Sequence, residues 1–178
     1  MGYTTEFDGV IEVTPPFTAA QVAYLTAFSE SRRMKRDAAK TATMSDELRN
    51  VVGLPVGTEG EFYVGGQESY GVLDHNAPPS TQPGLWCQWR PTPDGTAIEW
   101  DGGEKFYDYT AWMKYIIDKF VIPSKRTANG VIAYQGEEMS DRGTITVKDN
   151  VVVEKQQPKR RVTRKKKALV SEENRFIL

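Results

Sequence analysis

The chain has one cysteine and one histidine in 178 residues, so the chemistries that need several of either are excluded at once. Cys87 has no partner for an internal disulfide, and Cys87 with His75 cannot assemble the four-ligand set of a structural zinc. No apolar run approaches the roughly 20 residues of a membrane-spanning helix, and Met1-Gly2-Tyr3 opens neither a basic nor a hydrophobic leader. The expected protein is soluble and cytoplasmic, with no metal and no cofactor. A Gly-x-Ser-x-Gly nucleophile elbow and the Lys-Ser/Thr of a phosphate-binding loop are also missing.

Aromatic residues are plentiful: seven Phe, eight Tyr and four Trp. They are enough for a core without covalent staples. Charge is unevenly spread. Residues 154–178 carry nine Lys/Arg against three Glu, a net of +6, and leave the preceding 153 residues at −7. This divides the chain into one globular domain, 1–153, and a basic flexible tail, 154–178.

Gly2 to Val13 reads as a strand stopped by Pro15-Pro16. Thr18 and Gln21 form a capping box and Phe17 with Val22 a hydrophobic staple, which predicts a helix from Ala19 with Val22, Leu25 and Phe28 on its apolar side. That helix is expected to run on into Arg32, Arg33, Lys35 and Arg36, either a solvated helix end or an anion site. Ser45 to Val52 suggests a short helix and Glu61 to Val64 a short strand. Gly65 to Gly84 shows neither helical nor strand period, and a loop of that length is a functional-loop candidate.

All four tryptophans lie between Pro83 and Pro123. Leu85, Cys87 and Trp89 alternate with Trp86, Gln88 and Arg90, the period of a half-buried strand, and Asp94-Gly95 turns the chain back into Ala97–Trp100. Tyr109, Trp112, Met113, Ile116, Ile117 and Phe120 then trace one helix face, with Asp108 as N-cap. Gly130–Gln135, Thr144–Lys148 and Val151–Val153 complete the strands. The order implies an α+β fold in which two main helices cover an antiparallel sheet, in a ferredoxin-like βαββαβ wrapping.

The segments Arg32-Arg33-Met34-Lys35-Arg36-Asp37, Val52-Gly53-Leu54-Pro55-Val56-Gly57, Gln82-Pro83-Gly84-Leu85-Trp86-Cys87-Gln88-Trp89 and Glu99-Trp100-Asp101-Gly102-Gly103-Glu104-Lys105-Phe106-Tyr107 resemble an uncharacterised family of small bacteriophage and bacterial proteins. The resemblance spans most of residues 1–153 and excludes the tail. It implies a phage-type accessory protein in the host cytoplasm, with interference in host defence as its role. It carries no activity and no functional residues.

Three functional readings follow from the residues. In the first, a non-enzymatic protein captures a small nucleotide-like ligand. Trp86 stacks on a base, Gln88, His75 and Asn76 supply polar contacts from the hairpin and the long loop, and Arg32, Arg33, Arg36 and Arg90 neutralise phosphate. In the second, Lys159, Arg160, Arg161, Arg164, Lys165, Lys166 and Lys167 bind nucleic acid or an acidic protein without sequence preference. In the third, His75 serves a hydrolase with a neighbouring acid such as Asp74. Cys87 is expected to be a small core residue. Glu99, Asp101 and Glu104, like Glu137, Glu138 and Asp141, are read as solvated turn charges, since their spacing fits no metal loop.

Overall fold

The computed structural model describes residues 2–66 and 68–157. Its first strand, β1 (Thr5–Thr14), is followed by α1 (Ala19–Glu30), which begins where local chemistry directs it. Thr18 accepts from the Gln21 backbone N–H, while the Gln21 side chain accepts from the Thr18 backbone N–H. The helix stops sooner than the basic residues suggested. Ser31 is already extended, so Arg32 to Arg36 lie beyond the helix, in a strand-like stretch that ends in β2 (Lys35–Arg36).

Two short helices follow, α2 (Ala38–Thr41) and α3 (Glu47–Val51), capped by Asp37 and Asp46. The Asp46 carboxylate is buried and also receives the Arg49 guanidinium at 3.1 Å and the Val64 N–H at 2.9 Å. Glu61 to Val64, expected as a strand, instead follows a 3-10 turn (Thr58–Gly60) as irregular buried chain. Its polar backbone is satisfied by side chains distant in sequence: Tyr24 Oη donates to the Phe62 carbonyl at 2.9 Å, and Arg33 donates to that of Glu61 at 2.8 Å. The long loop contains a small strand, β3 (Val72–Asp74), antiparallel to β2.

The hairpin of β4 (Trp89–Pro91) and β5 (Ala97–Trp100) leads to α4 (Tyr109–Ile116), which continues as a π-helical turn over Ile117–Val121. Then come β6 (Thr127–Gly136), β7 (Arg142–Lys148) and β8 (Val151–Gln156). β8 runs three residues past the composition-based boundary at 153.

The main sheet has the order β4-β5-β1-β6-β7-β8, and every neighbouring pair is antiparallel. Taken with α1 and α4, the strands β1, β4, β5 and β6 stand in the order β6-β1-β5-β4. That is the split βαββαβ arrangement, extended beyond β6 by the β7–β8 hairpin. One face of the sheet contributes Ile11, Val13, Ile98, Ile132, Ile145 and Val147 to a single core shared with Tyr24 and Phe28 of α1 and Trp112 and Ile116 of α4. Phe28 meets the Trp112 ring edge-on at 6.1 Å. The opposite face leaves Val10, Val131 and Val153 exposed.

Candidate functional site

Alternation between Leu85 and Arg90 predicts a strand with two faces; burial alternates as expected, but the ladder begins only at Trp89 and Leu85 to Gln88 is irregular chain. Cys87 and Trp89 are buried, whereas Trp86 is 42% exposed. Beside Trp86 lies a cavity of about 590 Å³ lined by Gly84, Trp86 and Gln88 on one side and by Lys105, Tyr107 and Asp108 on the other. Tyr107 is 55% exposed, so two aromatic side chains of the cavity face solvent.

Gln88 braces this cavity. Its Nε2 donates to the Glu104 carbonyl at 2.9 Å and its Oε1 accepts from Trp100 Nε1 at 3.2 Å. The indole can only donate and the carbonyl can only accept, so these two bonds fix the orientation of the amide. Asp101 Oδ1 accepts from the Gly103 N–H at 2.7 Å and tightens the same turn, and burial raises the Asp101 pKa. Lys105 (φ 60°) and Asp108 (φ 54°) both take the left-handed conformation, which is unfavourable for residues with a side chain. Asp108 occupies the N-cap position of α4, as its sequence position suggests, but its carboxylate makes no capping bond.

The other residues expected at the site lie elsewhere. Arg33 is fully enclosed: its guanidinium lies 4.2 Å from the centroid of the Phe28 ring and donates to the Glu61 carbonyl and the Gln82 side chain. Burial lowers its pKa. Arg36 stacks on Tyr63 at 4.6 Å and donates to the carbonyls of Tyr70 and Gly66. Arg32 donates to the His75 carbonyl at 3.0 Å and to Asn76 Oδ1 at 3.3 Å. The three arginines therefore hold the Gly65–Gly84 loop in place instead of gathering around Trp86, a correction to the phosphate-cluster expectation. Most of their partners are backbone carbonyls, and sequence spacing carries no trace of them.

His75 and Asn76 do not line the cavity, to which the long loop contributes only its end at Gly84. His75 Nδ1 lies 3.2 Å from Met34 Sδ, and Asp74 Oδ1 accepts from the Asn76 N–H. Among the described residues no carboxylate is bonded to the His75 ring, so the orienting contact of a hydrolytic triad is missing there. Arg90 pairs with Glu99 across the β4–β5 hairpin at 3.1 Å and borders a smaller depression of about 340 Å³ with Asp101 and Gly102. Cys87 is buried, and desolvation pushes its thiol up to about 12, which removes it as a nucleophile near neutral pH. Lys159 to Lys167 lie outside the described residues. No helix among the described residues is long and apolar enough to cross a membrane.

The Gly65–Gly84 loop and the turn ending at Lys105 are legible as walls of the site, whereas sequence reasoning passes over Tyr107 and, beyond its N-cap position, Asp108. The usable signal was Tyr107, an aromatic in a polar turn between a strand and a helix. No protein-family model matches the chain, and neither curated proteins nor solved structures match it.

Proposed function

We propose that the protein binds a small, flat, nucleoside- or nucleotide-like ligand in the cavity between the Trp86 segment and the Lys105–Asp108 turn, without chemical conversion. The observation that carries this reading is the pair of solvent-facing aromatic side chains, Trp86 and Tyr107, on a concavity of about 590 Å³. Exposed aromatic surface in a concave site suits a planar ring, and stacking of a base on such a side chain contributes roughly 1–3 kcal/mol. Glu104 and Asp108 stand against Lys105, so the lining charge favours a ligand with at most one phosphate near Lys105 over a polyphosphate. In a phage setting, such capture would withdraw a nucleotide signal from host defence.

Isothermal titration of the full chain with nucleosides and mononucleotides tests the reading. Saturable binding that weakens at least tenfold in Trp86→Ala supports it, and absence of binding at millimolar ligand refutes it. A chain shortened after Gln157 should bind equally well, which separates capture by the folded body from retention by the basic tail.

A further inference from the structure

Among the described residues, the indole N–H of Trp112 is the one buried side-chain N or O atom without a hydrogen-bond partner. Trp112 is 0% exposed. Such a donor is uncommon, because burying an N–H without an acceptor forfeits its hydration and gains nothing in return. Its position gives the exception a meaning. A Cβ placed on Gly84 would lie 3.6 Å from Trp112 Nε1 and 3.7 Å from Asp108 Oδ2. The unpartnered donor and the non-capping carboxylate therefore both border Gly84; Gly84 and Asp108 line the cavity, and Trp112 Nε1 lies directly behind that wall without accessible surface of its own.

This inference rests on the ring-binding reading of the cavity and adds what the cavity recognises. We propose that Trp112 Nε1–H and Asp108 Oδ2 form a polar floor that reads the edge of a heteroaromatic ring, donating to a ring acceptor and accepting from an adjacent N–H or amino group. Adenine, with an amino group next to a ring nitrogen, has that edge. Purine riboside, which keeps the ring nitrogens and lacks the amino group, does not. The glycine at position 84 is part of the recognition, since any side chain there would occupy the volume that the ligand edge must enter.

The test uses the full chain, with adenosine, purine riboside and a short oligoadenylate as probes; the last distinguishes a base presented by a strand from a free one. Gly84→Ala is the informative variant, because contacts of 3.6–3.7 Å are ordinary packing and the fold should accept the methyl group. Asp108→Gly removes the acceptor and suits the left-handed backbone. We expect adenosine to bind about tenfold more tightly than purine riboside, the discrimination of one hydrogen bond. Gly84→Ala should weaken adenosine or oligoadenylate, whichever binds, by about tenfold or more at unchanged thermal stability. Asp108→Gly should erase the preference for adenosine over purine riboside. If both variants bind like the parent and the two nucleosides are not distinguished, while Trp86→Ala still weakens binding, the polar floor is overturned and the ring-binding reading stands. If none of these probes binds the parent protein, the polar floor falls, and the ring-binding reading falls with it only when the other nucleosides and mononucleotides also fail to bind at millimolar concentration.

Discussion

Tyr115 Oη on α4 donates to the buried carboxylate of Glu61 at 3.0 Å, and so ties the helix to the irregular segment that replaces an expected strand. Thr81 Oγ1 donates to the same carboxylate oxygen at 2.7 Å, and Lys119 Nζ approaches it to 3.6 Å. Gln82 Nε2 completes the cluster by donating to Tyr115 Oη at 3.0 Å. Removing the hydroxyl leaves two buried polar groups one partner short. Tyr115→Phe should lower unfolding free energy by about 1–2 kcal/mol in urea titration. A loss below about 0.5 kcal/mol would show that the bond contributes nothing net.

Alkaline pH should destabilise the fold through groups that prefer to stay protonated when folded. Desolvation raises Cys87 and Tyr109 to about 12, and it also raises Tyr24, Tyr115 and Tyr134. Between the ordinary thiol and phenol range and these higher values, the unfolded chain binds fewer protons than the folded one. Stability is therefore full below that window and is lost as pH rises through it. Thermal unfolding should shift steadily downward above about pH 9. The absorbance of these four tyrosinates should appear only with unfolding. Smooth tyrosine titration in a chain that remains folded would contradict this.

Gly9 sits inside the β1–β6 ladder at φ 109°, and a Cβ there would stand 2.5 Å from the Val131 carbonyl oxygen. Both the conformation and the space exclude a side chain. Gly9→Ala should cost at least about 2 kcal/mol, read as a lower urea midpoint. A neutral result would mean that the strand can straighten at no cost.

Glu59 lies at the surface, yet hydrogen bonds from Lys35 at 2.8 Å and from the Ser80 N–H at 2.6 Å hold its carboxyl at about 2. A carboxyl depressed in the folded state stabilises the fold above its ordinary range, and that contribution fades as pH falls toward about 2. Carbon-detected NMR titration should find Glu59 as one of the lowest glutamates. Lys35→Ala should move it upward; an unmoved midpoint would leave the ion pair without effect.

The elements with local signals were legible in advance. The capping box at Thr18 and Gln21, the apolar stripe of Tyr109 to Phe120, and the opposite faces of Trp86 and Trp89 each follow from a few residues of neighbouring sequence. They suffice for the α+β class, whereas the strand order is fixed by pairings between distant strands, such as β1 with β6 and β5, that no local signal carries. What escaped depends on distant backbone. Arg33 and Arg36 look like surface charge in sequence, and only the carbonyls of Glu61, Gly66 and Tyr70 show why they are buried. The cavity was half legible for a similar reason. Trp86 could be placed on an outward face from alternation alone, whereas the approach of Asp108, Gly84 and Trp112 joins segments that periodicity treats separately.

The extra length of β8 has a practical side. Glu154 accepts from Thr110 Oγ1 and from Tyr134 Oη, both at 2.7 Å, and residues 154–156 pair with Ile145, Thr144 and Gly143 of β7. Truncation after Val153, where composition changes, would unzip half of the outermost strand and take away the acceptor beside the start of α4, two residues from Asp108. Any trimmed version meant to report on the cavity must end no earlier than Gln157, or a damaged sheet edge will be mistaken for a contribution of the basic tail.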